Sequence, residues 1–183
     1  MTSLKIHNIE TAPEGSKTLL EQSLKQNGMI PGLHGVLAGS PEILEAYQTL
    51  HKLFSKSSFN KEELTVVWQT INVEHECHYC VPAHTGIANM MNVDTSLSEA
   101  LRNKTAMPTE KLQALHDFTL KVVRNRGHVT QNDLNTFYEV GYGEQQVLEI
   151  ILGLSQKVIS NYTNHIANTP VDVPFQKFAW KAK

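Results

Sequence analysis

The sequence predicts an all-α fold, and three observations carry that prediction. Apolar residues recur at helical spacing, as in Ile43, Leu44, Tyr47, Leu50 and Leu53. Helix start and stop signals bracket such stretches. No alternating apolar and polar run is long enough to build a sheet, and there is no repeat or low-complexity tract. At 183 residues the chain can bury a core without staples and is expected to form one domain over 1–183. An extended lead-in over about 1–16 and a tail over about 170–183 complete it.

Ser16 is placed to cap a first helix over about 17–26, with Leu19, Leu20 and Leu24 on one face and Asn27-Gly28 ending it. Residues 33–37 read as a short turn. Ser40-Pro41 opens a helix to about Ser55, since proline loses nothing where its N–H would be an orphan. Asn60 and Glu63 read as a capping box for a helix through Leu64, Val66, Val67, Trp68 and Ile71, apolar over so wide an arc that burial, or sharing with another subunit, is expected. A helix after the cysteines continues through Ile87, Met90 and Met91. Ser96 is placed as the cap of a short helix. Pro108 starts a longer one, with Leu112, Leu115, Phe118, Leu120 and Val123 inward, and Thr130 caps a helix over about 131–140. The last long helix runs from Glu144 to about Ala167, with Val147, Ile150, Ile151, Leu154, Val158 and Ile159 inward. β-Branched residues make 64–73 and 147–159 the stretches where helix and strand compete.

Sixteen Lys and Arg stand against eighteen Asp and Glu, a formal charge of -2 that supplies no electrostatic case for nucleic acid or an anionic membrane. A small uncharged substrate or a protein partner fits better. No stretch approaches the roughly 18 apolar residues of a membrane span, and residues 1–16 lack the features of a secretory signal, so a cytoplasmic location is expected. Reducing conditions there disfavour a permanent disulfide, so a close cysteine pair reads as catalytic or metal-binding.

Both cysteines and three of nine histidines lie in Glu74-His75-Glu76-Cys77-His78-Tyr79-Cys80-Val81-Pro82-Ala83-His84. Pro82 lacks the N–H that an interior helical residue donates, which puts the helix start near Tyr79. Cys80 then sits in the first turn and Cys77 just before it, where the helix dipole favours a thiolate. His84 follows Cys80 by four residues, about 40° around the axis and about 6 Å along it, so the two share a face. The spacing of Cys77 and Cys80 permits a disulfide. The set supplies a nucleophile, a base and a resolving thiol: His84 can protonate the alkoxide released when a thiolate splits a peroxide O–O bond, and Cys77 can close the disulfide.

Two readings compete with this one. A tetrahedral zinc site would use Cys77, Cys80, His84 and one of His75, His78 or Glu74, and simple packing would need no chemistry at all. Covalent haem attachment is disfavoured by Val81, which stands where histidine is required. His75 and His78 read as surface or cap residues; His165, Tyr162 and Asn161 as a polar cluster on a packing face; Trp68 as core; Met90 and Met91 as helix packing. The aromatic tail would dock on a neighbouring subunit or stay loosely ordered.

The stretch Leu64 to Ala88, with Cys77, Tyr79-Cys80 and Ala83-His84, resembles the alkylhydroperoxidase D and carboxymuconolactone decarboxylase superfamily. Gly141 to Leu152 and Asn161-Tyr162-Thr163-Asn164-His165-Ile166-Ala167 with Thr169-Pro170 are similar to its peroxidase-related branch. The resemblance implies an AhpD-like helical bundle that forms homo-oligomers and a thiol peroxidase active in antioxidant defence. By motif position, Cys80 would attack a hydroperoxide, Cys77 would resolve the disulfide, and His84 with an upstream glutamate would relay protons. The family's acid stands twelve residues before the first cysteine, which here is Thr65. Glu74 is therefore assigned to orient His84, with Glu63 and Glu62 as alternatives. Tyr79 stands where the alkylhydroperoxidase has histidine. No cofactor and no metal is assigned; the expected partners are a small hydroperoxide and a thiol reductant or redox partner protein. A zinc-binding or redox-sensing helical protein, and a decarboxylase-type lyase with His84 as base, are the alternatives.

Overall fold

The computed structural model describes residues 4–182, and among them the secondary structure is nine α-helices and one 3-10 helix, without strands. Residues 1–3 of the expected lead-in and the last residue of the expected tail lie outside the described part. In chain order the helices are α1 Glu14–Asn27, α2 Gly32–Leu37, α3 Pro41–Phe54, α4 Lys61–Glu74, α5 Cys80–Met90, α6 Thr95–Asn103, α7 Glu110–Arg124, α8 Gln131–Glu139 and α9 Glu144–Ala167; the 3-10 helix is Val173–Phe178. No helix among the described residues is long and apolar enough to cross a membrane.

The centre of the molecule is α4. Its first turn is closed by the predicted capping box: Asn60 Oδ1 accepts from Glu63 N at 2.9 Å, and Glu63 Oε2 accepts from Asn60 N at 3.0 Å. Every residue from Glu63 to Val73 is buried, with α5, α6, α7 and α9 packed around it. A helix satisfies its backbone groups internally, so it can be enclosed on all sides, and this decides the helix-or-strand competition at 64–73. The competition at 147–159 also ends in helix. Two apolar clusters flank α4. One joins Phe54, Trp68, Ile71, Leu101, Leu115, Phe118, Phe137 and Ile150; the other joins Leu20, Leu33, Leu37, Leu44 and Tyr47 with the two cysteines.

Several local expectations are corrected. Ser16 does not cap α1, which begins two residues earlier behind Pro13; the Ser16 hydroxyl is buried and donates to the Ala38 carbonyl at 2.8 Å, tying α1 to α2. Residues 14–16 of the expected lead-in are therefore helical. The cap of α6 is Asp94, which accepts from Ser96 N at 2.7 Å, because a cap bonds the amide two or three residues on. On α7, Leu115, Phe118, Thr119 and Val122 are buried, while Leu112, Leu120 and Val123 are only half-buried.

The largest correction concerns α9. Of the six residues expected inward only Ile150 is fully buried, and Ile151 is 48% exposed. The helix instead buries Gln156, Lys157, Ser160, Asn161 and Asn164, while Leu148, Tyr162 and Ile166 face outward. Gly153 lets α9 approach α3 closely: a Cβ there would stand 2.8 Å from the Phe54 ring. One turn further on, that approach places Lys157 inside the protein.

Candidate active site

The chain leaves α4 through a tight turn at Glu76, whose φ is 53°, and Cys77 N donates back to the Asn72 carbonyl at 3.0 Å. Helix α5 then starts at Cys80, with Tyr79 as the residue before it, as Pro82 requires. Cys77 Sγ accepts the Cys80 N–H at 3.2 Å, so a free helix-start amide points at sulfur. Both thiols are free and buried. Cys80 Sγ in turn accepts from Asn164 Nδ2 of α9 at 3.3 Å. A buried amide chain fixes this arrangement: Asn161 Nδ2 donates to Asn72 Oδ1 at 2.9 Å, Asn72 Nδ2 to Gln69 Oε1 at 3.1 Å, and Gln69 Nε2 to the Val81 carbonyl at 3.1 Å.

His84 lies one turn along α5 from Cys80, with its ring 4.9 Å from that of Trp68. Its Nε2 accepts a hydrogen bond from Lys157 Nζ, which also sits 5.8 Å from the centre of the Trp68 ring. The proton of neutral His84 is therefore on Nδ1, and that buried nitrogen has no hydrogen-bond partner among the described residues. Asn164 Oδ1 is in the same condition. An unpaired donor and an unpaired acceptor thus stand around the Cys80–His84 pair.

The electrostatics follow from burial and one cation. Lys157 is fully buried, and no carboxylate pairs with it among the described residues. Burial pushes its ammonium down to about 8, against which the two cysteine sulfurs, Cys80 foremost, hold the charge. Burial by itself would raise the Cys80 thiol. The hydrogen bond with Cys77, the Lys157 charge and the amides of Asn164 and Asn161 outweigh it and bring Cys80 down to about 7. Cys77 moves the opposite way, its thiol raised first by the hydrogen bond to Cys80 and then by burial. Burial and Lys157 hold His84 neutral, well below the usual imidazole range. The arrangement separates the two thiols, Cys80 ionising more readily and Cys77 keeping its proton.

Cys80, His84 and Lys157 line a cavity of about 1050 Å³ between α2, α3, α5 and the segment after α9. That segment closes one side. Asp172 accepts from Gly32 N at 3.0 Å and from Tyr79 Oη at 2.5 Å, and Phe175 packs where a Cβ on Gly86 would lie 2.4 Å from its ring. Arg102 holds the end through the carbonyls of Phe178 and Ala179 at 3.0 and 3.2 Å. The segment from Asp172 to Trp180 therefore docks on α2, α5 and α6 of its own chain. Tyr79 serves this strap, which is why a phenol stands in the motif.

Glu74 is not part of this constellation. It ends α4 facing α7, and its two carboxylate oxygens are taken by Arg124 Nε and Nη2 at 2.7 and 2.9 Å. Glu63 is committed to its capping box, to Tyr142 Oη at 3.0 Å and to Lys111 at 3.3 Å; Glu62 lies beside Lys61 at 3.6 Å. None of the three lines the cavity. Thr65 spends its hydroxyl on the Lys61 carbonyl at 2.8 Å. The group placed on His84 is a lysine from the other end of the chain, a residue the sequence reading missed. The one sequence signal for it is the polar row Gln156, Lys157, Ser160, Asn161 and Asn164, which has helical spacing but reads equally well as a solvent face. No group of three or more His, Cys, Asp or Glu among the described residues is arranged to hold a metal ion. His75 and His78 bond to Asn161 Oδ1 and to the Thr169 carbonyl, both at 2.9 Å.

Solved structures with the same architecture decide the fold. An uncharacterized peroxidase-related protein from Ralstonia eutropha JMP134, described as an alkylhydroperoxidase AhpD core, superimposes with a TM-score of 0.82 at 17% identity over 96% of each chain. The chain has the AhpD fold. A peroxidase-related protein from Silicibacter sp. TM1040 gives 0.80 at 16% identity over 95% of each chain. The debrominase Bmp8, solved in complex with 2,3,4-tribromopyrrole, gives 0.77 at 14% identity over 97% of this chain and 95% of its own. No protein-family model matches the sequence, and no curated protein is similar to it. Within this AhpD fold, Cys80 at the start of α5 meets Asn164 of α9 and lines the cavity, with Cys77 in the turn before it.

Proposed function

We propose that the protein is a cysteine-based peroxidase that reduces an organic hydroperoxide through a Cys77–Cys80 dithiol cycle. The observation that carries this reading is Cys80, a buried thiol that lines the cavity and whose pKa is brought down to about 7 by the hydrogen bond with the second thiol, Cys77, by Lys157 and by the Asn164 amide. A thiol with a pKa near 8.5 is about 3% ionised at pH 7, and one near 7 is about half ionised. The Cys80 thiolate attacks the hydroperoxide, the O–O bond breaks, and Cys80 becomes a sulfenic acid. The departing alkoxide takes a proton from Lys157, directly or through His84, and leaves as the alcohol. Cys77 then attacks the Cys80 sulfur, its own proton leaving with the hydroxide as water, and an external thiol reductant restores both thiols. The unpaired His84 Nδ1–H and Asn164 Oδ1 match the acceptor and donor ends of a hydroperoxide group.

Consumption of cumene hydroperoxide with dithiothreitol as reductant tests the reading. Wild-type protein is expected to turn over, and Cys80→Ser to lose turnover; wild-type turnover in Cys80→Ser overturns it. A lyase using His84 as base is disfavoured, because the bare nitrogen of that ring already accepts from Lys157. The cavity is far larger than a peroxide group, and the similarity to the debrominase motivates one further electron acceptor, a halogenated aromatic ring. There the carbon–halogen bond would give way to a carbon–hydrogen bond: the two thiols supply two electrons and become the disulfide, one of their protons ends on the ring carbon and the other leaves with the halide, and bromide release from a bromopyrrole checks it.

A further inference from the structure

The strap after α9 is tied to the motif at both residues that stand between the cysteines. His78 Nε2 donates to the Thr169 carbonyl at 2.9 Å, and Tyr79 Oη donates to Asp172 Oδ2 at 2.5 Å. A third tie runs through Asn164, whose amide donates to Cys80 Sγ at 3.3 Å and whose backbone carbonyl accepts from Thr169 N at 3.2 Å. Asp172 is also held by Gly32 N, at 3.0 Å. The far end rests on α6, where Arg102 bonds the Phe178 and Ala179 carbonyls and Trp180 Nε1 donates to the Arg102 carbonyl at 3.1 Å. Between the two ends, Asp172, Pro174 and Phe175 form part of the wall of the cavity that Cys80 lines. The near half of this wall thus hangs on groups that lie between the sulfurs or bond to one of them.

We infer that the strap is a redox-linked gate, seated against the cavity while Cys77 and Cys80 are thiols and loosened when they join as a disulfide. Both thiols are free in this structure, and Cys77 Sγ accepts the Cys80 N–H at 3.2 Å. In bonding to Cys80 Sγ it moves relative to that amide, because a covalent S–S bond is shorter than any contact between free thiols. His78 and Tyr79 complete the ring that the disulfide closes, so they take up the change. Their hydrogen bonds to the strap weaken as distance and angle depart from the preferred values. Asn164 loses an ionisable sulfur as its acceptor at the same step, which frees the third tie. The coupling is reciprocal: by whatever factor oxidation loosens the strap, freeing the strap favours disulfide over dithiol by the same factor. The consequence is an order of events, with the wall closed around a hydroperoxide and open to a bulkier thiol reductant. This gate rests on the dithiol reading and deepens it, but its response to the disulfide needs no peroxide.

The test is amide hydrogen exchange, read by mass spectrometry, on protein held reduced with a phosphine and on protein oxidised with diamide. The N=N bond of diamide takes the two electrons and two protons of the thiols and becomes a hydrazine, so the disulfide forms without a hydroperoxide. Peptides from the segment after Asn168 are expected to exchange at least about threefold faster in the oxidised protein, the weight of one weak net hydrogen bond, and peptides from α8 equally in both. Tyr79→Phe and Asp172→Ala each cut one tie, from the motif side and from the strap side. In each, strap exchange in the reduced form should rise toward the oxidised level, and the dithiol–disulfide equilibrium in a glutathione buffer should move toward the disulfide by about the same factor. A merely structural tie leaves that equilibrium where it is. Equal or slower strap exchange in oxidised protein whose disulfide is verified by mass overturns the gate and leaves the peroxidase reading standing, as does an unmoved equilibrium in both variants. Strap exchange that responds to diamide, in a protein that consumes no cumene hydroperoxide, contradicts the peroxidase reading alone. Failure of diamide to join Cys77 to Cys80 contradicts both.

Discussion

At the scale of single residues, the proposed chemistry turns on a buried ammonium that pairs with no carboxylate among the described residues and is held charged by the cysteine sulfurs, Cys80 foremost. Lys157 and Cys80 favour each other's charged forms, and both are displaced from their ordinary values into the same narrow range. Cys80, lowered from 9.0 to about 7, gains its thiolate as pH rises through about 7; Lys157, lowered from 10.5 to about 8, loses its proton as pH rises through about 8. Peroxidase kcat/KM should therefore rise, peak between about 7 and 8, and fall. Lys157→Met removes the cation, so the acid limb should move to higher pH and the alkaline limb should disappear; a stopped-flow pH profile reads both. Glu74→Gln should leave turnover unchanged, since Arg124 occupies that carboxylate, and a partly exposed pair of this kind is worth about 0–1 kcal/mol of stability in a urea melt.

The element scale explains what the sequence makes legible. Caps made by near neighbours, such as Asn60 with Glu63 and Thr130 with Asp133, are legible because both partners lie within one turn. Asn60→Ala should lower stability by about 1 kcal/mol, read by urea denaturation. The start of α5, and with it the relation of Cys77, Cys80 and His84, is legible because Pro82 is tolerated only in the first turn of a helix. Helix α9 is not, because periodicity locates a face without saying whether the core meets it with apolar or polar groups. Its buried face completes a polar site, and the partners of Lys157 and Asn164 lie 73 and 84 residues away. The strap is equally hidden, since Tyr79 and Asp172 are 93 residues apart. Gly86→Ala should drive Phe175 off α5 and cost about 1–3 kcal/mol, with faster proteolysis of the segment after residue 170.

Across the whole molecule, two apolar clusters enclose a polar seam formed by α4, α5 and α9. The clusters supply the stability, and the seam holds groups that would be costly to bury singly: an ammonium, an ionisable thiol and a chain of amides. Excluding water from the seam strengthens the Lys157–Cys80 attraction and keeps His84 neutral. The cavity opens beside the seam and is lined by Cys80 but not by Cys77, which is 0% exposed. Under the proposed cycle, this order of access suits attack by Cys80 and resolution by Cys77.

That assignment is tested most directly by peptide mass mapping after one equivalent of cumene hydroperoxide is added to the reduced protein. The account predicts a Cys77–Cys80 disulfide in the wild type, a sulfenic acid confined to Cys80 in Cys77→Ser, and no oxidation of Cys77 in Cys80→Ser on the same timescale. Rapid oxidation of Cys77 in Cys80→Ser, or a wild-type protein left with both thiols intact, would contradict it.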